Sequence, residues 1–177
     1  SWIGLDGTRY LALGSDRKLY IFSEGKVYDI TPIRRTASLT NPFATSSGSS
    51  TVTVTDAGHL AEVGAFVTFD NGSATNVVDG IDFNAEFEVL TVPSSNTYTI
   101  NAGTNASGTT AAGGGSTDAS YQINPGPTSS TYGYGWGTET WGASTWDEPR
   151  SSSNVVVEGR NWSLDNFGED LIATVLN

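Results

Sequence analysis

His59 is the only histidine of the chain, and cysteine is absent. No Ser–His–Asp or Cys–His set can therefore be doubled or checked, and no thiolate can serve as a nucleophile or metal ligand. Gly58-His59-Leu60 sits where a turn leads into Ala65–Phe69, and a turn or surface role for His59 is simpler than catalysis or metal ligation. Asp70-Asn71-Gly72 and Asp79-Gly80-Ile81-Asp82 bring oxygen ligands together and could hold Ca²⁺, although not at EF-hand spacing. Asp-Gly and Asn-Gly are equally ordinary hairpin turns, and that is the plainer reading. Glu86 and Glu88 share one face of a strand and could form a general acid/base pair, but alternating Glu on a solvent face is commoner. Gly113-Gly114-Gly115 leads into no helix and lacks a Lys, so it is not a phosphate loop. Asn71-Gly72-Ser73, Asn105-Ala106-Ser107 and Asn161-Trp162-Ser163 fit the glycosylation acceptor pattern, which means little without a signal peptide. These residues predict no enzymatic activity, no cofactor and no tightly bound metal.

One run stands apart. Tyr132-Gly133-Tyr134-Gly135-Trp136-Gly137 continues through Trp141-Gly142 to Trp146. It is too rich in glycine for a helix and too aromatic for a plain linker. Glycine permits close backbone approach to another surface, and Tyr and Trp bring large amphipathic rings. Tyr132, Tyr134, Trp136, Trp141 and Trp146 are thus candidate docking residues of a strap laid on a β surface, in cis or on a neighbouring copy. The rival reading is a sugar platform, in which exposed Trp136, Trp141 and Trp146 stack a glycan. The glycines between the aromatics favour the strap.

These residues need a scaffold, and the composition makes it β. The 177 residues suit one or two domains. They include 21 Gly, 5 Trp, 7 Tyr and 7 Phe, with Val and Thr in short runs and no sustained 3.6-residue apolar period. The best helix candidates are a turn or two near Thr36–Leu39 or Ala57–Glu62. The net charge of −11 comes from scattered acids. It argues against gripping nucleic acid, which needs a basic patch, but suits a wall past which nucleic acid slides. No signal peptide or transmembrane run is visible, and no membrane partner is expected. Ser1 followed directly by Trp2-Ile3-Gly4, and an apolar end at Leu171–Leu176, suggest a piece excised from a longer chain.

The texture changes along the chain. Residues 1–36 open as a β-meander: strand Tyr10–Leu13, turn Gly14-Ser15-Asp16-Arg17, strand Leu19–Phe22, turn Ser23-Glu24-Gly25-Lys26, strand Val27–Ile30. Leu19-Tyr20-Ile21-Phe22 has no polar alternate, which predicts cover on both faces. Residues 37–124 are richer in Thr, Ser and Ala. Thr51–Thr55, Ala65–Phe69, Glu86–Thr91, Asn96–Asn101 and Ser120–Ile123 are their strands, with Val52, Val54, Phe66 or Val67, Phe87, Val89, Tyr98 and Ile100 as core. Residues 102–117 look like a flexible excursion. Residues 125–150 are the strap, and 151–177 return to the first texture with Val155-Val156-Val157 and Trp162-Ser163-Leu164. The expected fold is all-β: a small β-barrel or sandwich inserted between propeller-like antiparallel segments, the outer two belonging to one sheet system.

Arg9-Tyr10-Leu11-Ala12-Leu13-Gly14, Lys18-Leu19-Tyr20-Ile21-Phe22 and Val27-Tyr28-Asp29-Ile30-Thr31-Pro32 resemble a blade of the β-propeller tail hub or nozzle proteins of short-tailed bacteriophages. The strap, ending Trp146-Asp147-Glu148-Pro149-Arg150, and Asn161-Trp162-Ser163-Leu164-Asp165-Asn166-Phe167-Gly168-Glu169-Asp170-Leu171 look similar to the same family. The resemblance covers residues 9–33 and 130–176. It implies a virion structural protein of the phage tail that assembles with other copies and neighbouring tail proteins into a ring. The genome would be a passing, weakly contacted partner. The family supplies no catalytic motif, and the chain is too short for a whole propeller. A carbohydrate- or receptor-binding β module is the alternative.

Overall fold

The structure is a computed structural model that describes residues 1–72, 76–124 and 161–176. Among them there is no helix; short strands and tight turns account for the regular structure. The chain divides into two units, one of Ser1–Ile30 with Pro125–Asn177 and the other of Thr31–Asn124.

The first unit begins with a four-stranded antiparallel meander: β1 (Trp2–Ile3), β2 (Arg9–Gly14), β3 (Leu19–Ser23) and β4 (Lys26–Asp29). β3 turns into β4 at Glu24-Gly25, both with positive φ (50° and 80°). That is the mirror-image turn whose twist matches a two-residue hairpin. The expected strands of this segment are present. The cover expected on both faces of Leu19–Phe22 is not: Leu19 is buried, whereas Phe22 is 39% exposed.

The second unit is one open antiparallel sheet of seven strands. These are β5 (Ile33–Thr40), β6 (Phe43–Ala44), β7 (Thr51–Thr55), β8 (Phe66–Asp70), β11 (Glu86–Ser94), β12 (Thr97–Asn101) and β13 (Ser116–Gln122), with a small ribbon of β9 (Val77–Val78) and β10 (Ile81–Asp82). The spatial order is β5-β13-β8-β11-β12-β7-β6. β11 belongs to both halves of it. Glu86–Glu88 pair with β8, and Val89–Ser94 pair with β12 through register shifts after Val89 and after Thr91. Such irregularities bend a strand and let it turn a corner. The end strands β5 and β6 are consecutive in the chain, and Phe43 bridges to Gly113 just before β13. The sheet is folded over a core but not closed, so the barrel alternative is not realised and the arrangement is sandwich-like.

Alternation places the core. Val52 and Val54, Val67 and Phe69, Phe87 and Val89, and Tyr98 and Ile100 are all buried, as period-2 strands require. Phe43 stacks on Phe83 at 3.8 Å and meets Phe69 edge-on at 4.9 Å. Phe66 is the half-exposed partner of buried Val67.

Several expectations are corrected here. Thr36–Leu39 lies in β5, where Ala37 and Leu39 pack on the core and the register with β13 runs through Thr36↔Ser120 and Leu39↔Thr117. Small residues alternating at period two were open to either reading until a partner strand decided. Ala57–Glu62 forms no helix either; Leu60 has φ +54°. The expected boundary at 36/37 falls inside β5. Residues 102–117 are tied down rather than free. Ala106 N–H bonds to Ser49 O, Thr110 N–H to Thr45 Oγ1, and Gly113 exchanges backbone bonds with Phe43.

The first unit ends with the hairpin of β14 (Asn161–Phe167) and β15 (Asp170–Leu176), paired in register from Asn161↔Leu176 to Phe167↔Asp170. Among the described residues this hairpin is not hydrogen-bonded into the β1–β4 sheet, yet it belongs to the same unit, as expected of the two outer segments. They meet through side chains instead. Trp162 Nε1–H donates to Ser15 O at 2.9 Å, and Leu5 N–H donates to the Glu169 carboxylate. A Cβ at Gly14 would lie 2.5 Å from the Trp162 ring, so glycine is what lets the indole sit on the sheet. The strap residues Tyr132, Tyr134, Trp136, Trp141 and Trp146, and Val155–Val157, lie outside the described residues. No helix among the described residues is long and apolar enough to cross a membrane.

Candidate functional site

The densest polar cluster lies in the second unit, where β5, the end of β7, β12 and β13 converge. Arg35 on β5 grips Asp56, one residue beyond β7, with both guanidinium arms: Nη2 donates to Oδ1 at 3.0 Å and Nη1 to Oδ2. Tyr121 on β13 donates its hydroxyl to Asp56 Oδ2 at 2.6 Å, and the Tyr98 hydroxyl on β12 lies 3.0 Å from that of Tyr121. The Arg35 guanidinium carbon is 5.2 Å from the Tyr121 ring centroid, within range of a cation–π contact. The Asp56 side chain is 4% exposed and that of Arg35 26%.

Burial alone would raise the Asp56 carboxyl, but hydrogen bonds from Arg35 and Tyr121 and the Arg35 charge outweigh it and hold the group below its ordinary value. Arg35 is correspondingly raised, chiefly by its bond to Asp56. Burial pushes the Tyr98 and Tyr121 phenols up; for Tyr98 the neighbouring Tyr121 adds to this, and for Tyr121 the Asp56 carboxylate does. The cluster is a fixed ion pair capped by two protonated phenols.

His59 completes it. The ring is 1% exposed and meets Tyr98 edge-on at 4.9 Å. Ala61 N–H donates to Nδ1 at 2.8 Å, so Nδ1 carries no proton and Nε2–H donates to Ser94 O at 3.0 Å. Nδ1 thus serves the loop at Ala61 and Nε2 the end of β11 at Ser94; the expected turn role fits this geometry, whereas the surface alternative does not, because the ring is buried. Sequence reasoning placed Tyr98 in the core but missed the cluster around it. The one available signal was an Asp directly after an alternating strand.

The remaining candidates do not converge. Asp70 Oδ1 accepts Gly72 N–H at 2.7 Å, Asp79 accepts the Thr45 hydroxyl, and Asp82 Oδ1 accepts Asn84 N–H at 2.9 Å. The Asp70 and Asp82 bonds stabilise their own turns, and the Asp79 bond ties its turn to Thr45 at the end of β6. Among the described residues no three His, Asp or Glu side chains come together as a metal site. Glu86 accepts from Gln122 Nε2 at 3.0 Å, with buried Phe87 between it and Glu88 in the chain. At Gly114, with φ +101°, a Cβ would lie 2.5 Å from the Phe43 ring, so the triple glycine serves packing.

A second surface lies on the meander of the first unit. Antiparallel partners share a sheet face. The pairs Ile3↔Arg9, Leu11↔Phe22 and Phe22↔Val27 therefore put Ile3, Leu11, Leu13, Phe22 and Val27 on one face of the meander. All five are between 39% and 61% exposed. The other face carries the stacked Trp2–Tyr10 pair, and Gly14 under Trp162. Both faces read as apolar in sequence, so nothing told the covered one from the bare one.

The described residues define an all-β protein of open antiparallel sheets. No family model matches the chain. No curated protein matches it. Among solved structures the chain is similar to the phage phi92 endosialidase, with 20% identity and a TM-score of 0.43 over 69% of this chain and 20% of that one. The match thus spans about a fifth of that chain. It corrects one expectation. The similar protein is named for an enzyme, so the exclusion of enzymatic activity drawn from a lone histidine and absent cysteine does not stand, and the match assigns no activity in its place.

Proposed function

We propose that the chain is part of a virion structural protein of a bacteriophage tail, of the hub or nozzle kind, assembling with other copies of itself and with neighbouring tail proteins. The observation that carries this reading is the β1–β4 meander, a four-stranded antiparallel sheet the size of one propeller blade. It is formed by the residues whose sequence resembles such a blade. The acidic balance of −11 supports passive conduction, since a wall of that sign lets a polyanion pass without adhering. The second unit, held by its own core and its Arg35–Asp56 lock, would be a rigid appendage of the assembly. The reading is tested by light scattering and negative-stain microscopy of the purified chain at low and high concentration. Ring-shaped oligomers support it. A monomer under both conditions that binds a glycan array overturns it in favour of receptor binding.

A further inference from the structure

We infer that the loop between β7 and β8, residues 57–65, is a proton-operated latch: it stays on the β11–β12 hairpin while His59 is neutral and lifts when the ring takes up a proton. The inference concerns the second unit alone and is independent of the reading as a tail protein. It follows from what each ring nitrogen does. Ala61 N–H donates to Nδ1 at 2.8 Å, and Nε2–H donates to Ser94 O at 3.0 Å. Only the neutral ring with its proton on Nε2 meets both demands. A second proton goes to Nδ1, which then becomes a donor pointed at another donor, and Ala61 N–H loses its acceptor. The ring is 1% exposed, so water replaces neither bond while the loop is closed. The closed loop therefore excludes a proton that the open loop accepts, and acid favours the open form.

The backbone is set to move once that bond goes. Leu60, spanned by the bond from Ala61 N–H to Nδ1, is held at φ +54°, a region that residues with a Cβ avoid. Leu60 and Val63 are exposed, and of the side chains at 59–63 only small Ala61 joins the apolar core. The flanks are fastened by backbone bonds, Gly58 N–H to Ser95 O at 3.0 Å and Gly64 N–H to Val89 O at 2.8 Å, and these mark the two hinges.

The charges around the ring leave His59 as the switch. Asp56, just beyond β7, attracts an imidazolium, but Arg35 of β5 already neutralises it through both guanidinium arms. Tyr98 of β12, against the ring, and Tyr121 of β13, behind it, are phenols that burial keeps protonated. Ser94, Ser95 and Asn96 of the hairpin carry no charge. Glu62, on the loop itself, accepts from Asn124 Nδ2 at 3.0 Å. Among these residue types histidine is the one that changes charge between pH 5 and 8.

His59 is the sole histidine, so nitrogen-15 NMR of the full chain labelled at histidine reads its tautomer and proton uptake without assignment. Hydrogen exchange at the Ala61 amide reads the latch over the same range, from about pH 7.5 to 5, which lies above ordinary carboxylate titration. Rates are corrected for the usual slowing of amide exchange in acid. The expected result is the Nε2–H tautomer at the upper end. As the ring protonates, Ala61 should lose protection by at least ~10-fold, at up to ~10-fold per pH unit for one proton taken up, while β12 and β13 stay protected. In His59→Asn the side-chain oxygen takes the place of Nδ1 as acceptor and does not protonate, so Ala61 protection should no longer vary with pH. Glu62→Gln, which keeps an acceptor for Asn124, should respond as the parent does. The proposal is overturned by an Nδ1–H tautomer at pH 7.5, by a ring that stays neutral to pH 5, or by a protonated ring beneath a loop still protected. Loss of protection in β12 and β13 together with the loop, an unchanged acid response in His59→Asn, or a response abolished in Glu62→Gln overturns it equally. The measurements on the parent stand even if a variant fails to fold.

Discussion

Replacing Asp56 by Asn tests whether the ion-pair cluster holds the second unit together. The amide is nearly isosteric, so no cavity is opened. It keeps one acceptor oxygen and turns the other position into a donor. Arg35 Nη2 donates to Oδ1, while Arg35 Nη1 and the Tyr121 hydroxyl both donate to Oδ2; in the variant at least one guanidinium arm faces the amide –NH2, a donor. Hydrogen bonds to a charged group contribute about 1.5–3 kcal/mol each. Breaking a fully buried pair costs about 3–5 kcal/mol. Asp56 is buried, but Arg35 is 26% exposed and regains water when released, so the expected loss is about 2–4 kcal/mol at neutral pH. For a unit of this size that is a fall in melting temperature on the order of 10–25 °C.

The pH dependence sharpens the test. The folded state holds the Asp56 carboxyl below its ordinary value, which is about 3.9 for an unfolded aspartate. The unfolded chain therefore binds the proton more readily, and acid favours unfolding. The contribution is complete above the unfolded value and is lost as pH falls through the folded one. The gap between the parent and Asp56→Asn should thus be widest near neutrality and shrink below about pH 4. The assay must report on the second unit alone. Hydrogen exchange in β12 and β13, which belong to that unit, followed through urea unfolding of the full chain, serves this purpose. A loss below ~0.5 kcal/mol at pH 7, the level of an ordinary surface change, or a gap that does not narrow in acid, would refute the reasoning.

Three further outcomes are expected. His59→Ala strips partners from Ala61 N–H and Ser94 C=O and should cost about 2–4 kcal/mol, seen as faster exchange in the 57–65 loop and β12. Gly14→Ala forces a Cβ against the Trp162 ring and should destabilise the first unit by about 1–3 kcal/mol. In a Trp162→Ala background that cost should largely vanish, a coupling that a double-mutant cycle by thermal unfolding measures directly. Leu60→Asn should stabilise by about 0.5–1 kcal/mol, because Leu60 is held at φ +54° while its side chain is 71% exposed and Asn tolerates that conformation better; a lower melting temperature would show that the Leu side chain contributes more than its backbone strain costs.

What could be read from the residues followed their periodicity. Thr51–Thr55 alternates strictly and forms β7 with Val52 and Val54 buried; Phe87 and Val89 point inward between exposed or half-exposed neighbours. Where the pattern was weak, the partner decided. Thr36-Ala37-Ser38-Leu39 became strand because β13 pairs with it along its whole length. Phe43 and Phe83 reached the core from outside any alternating run, one on a two-residue strand and one directly after β10. The Arg35–Asp56–Tyr121–Tyr98 cluster draws on positions up to 86 residues apart, Arg35 to Tyr121, and no local pattern carries that information. The meander poses the opposite difficulty. Arg9–Gly14 and Leu19–Ser23 were plain as strands, yet Leu19-Tyr20-Ile21-Phe22 is apolar on both sides, and alternation cannot rank two apolar faces. The small side of the sheet does so. Ala12 and Gly14 share the face on which Trp162 sits, leaving room for an indole, whereas Leu11 and Leu13 opposite them leave a raised apolar surface. Side-chain size along one strand thus separates the face built to receive the Trp162 ring from the raised apolar face opposite it.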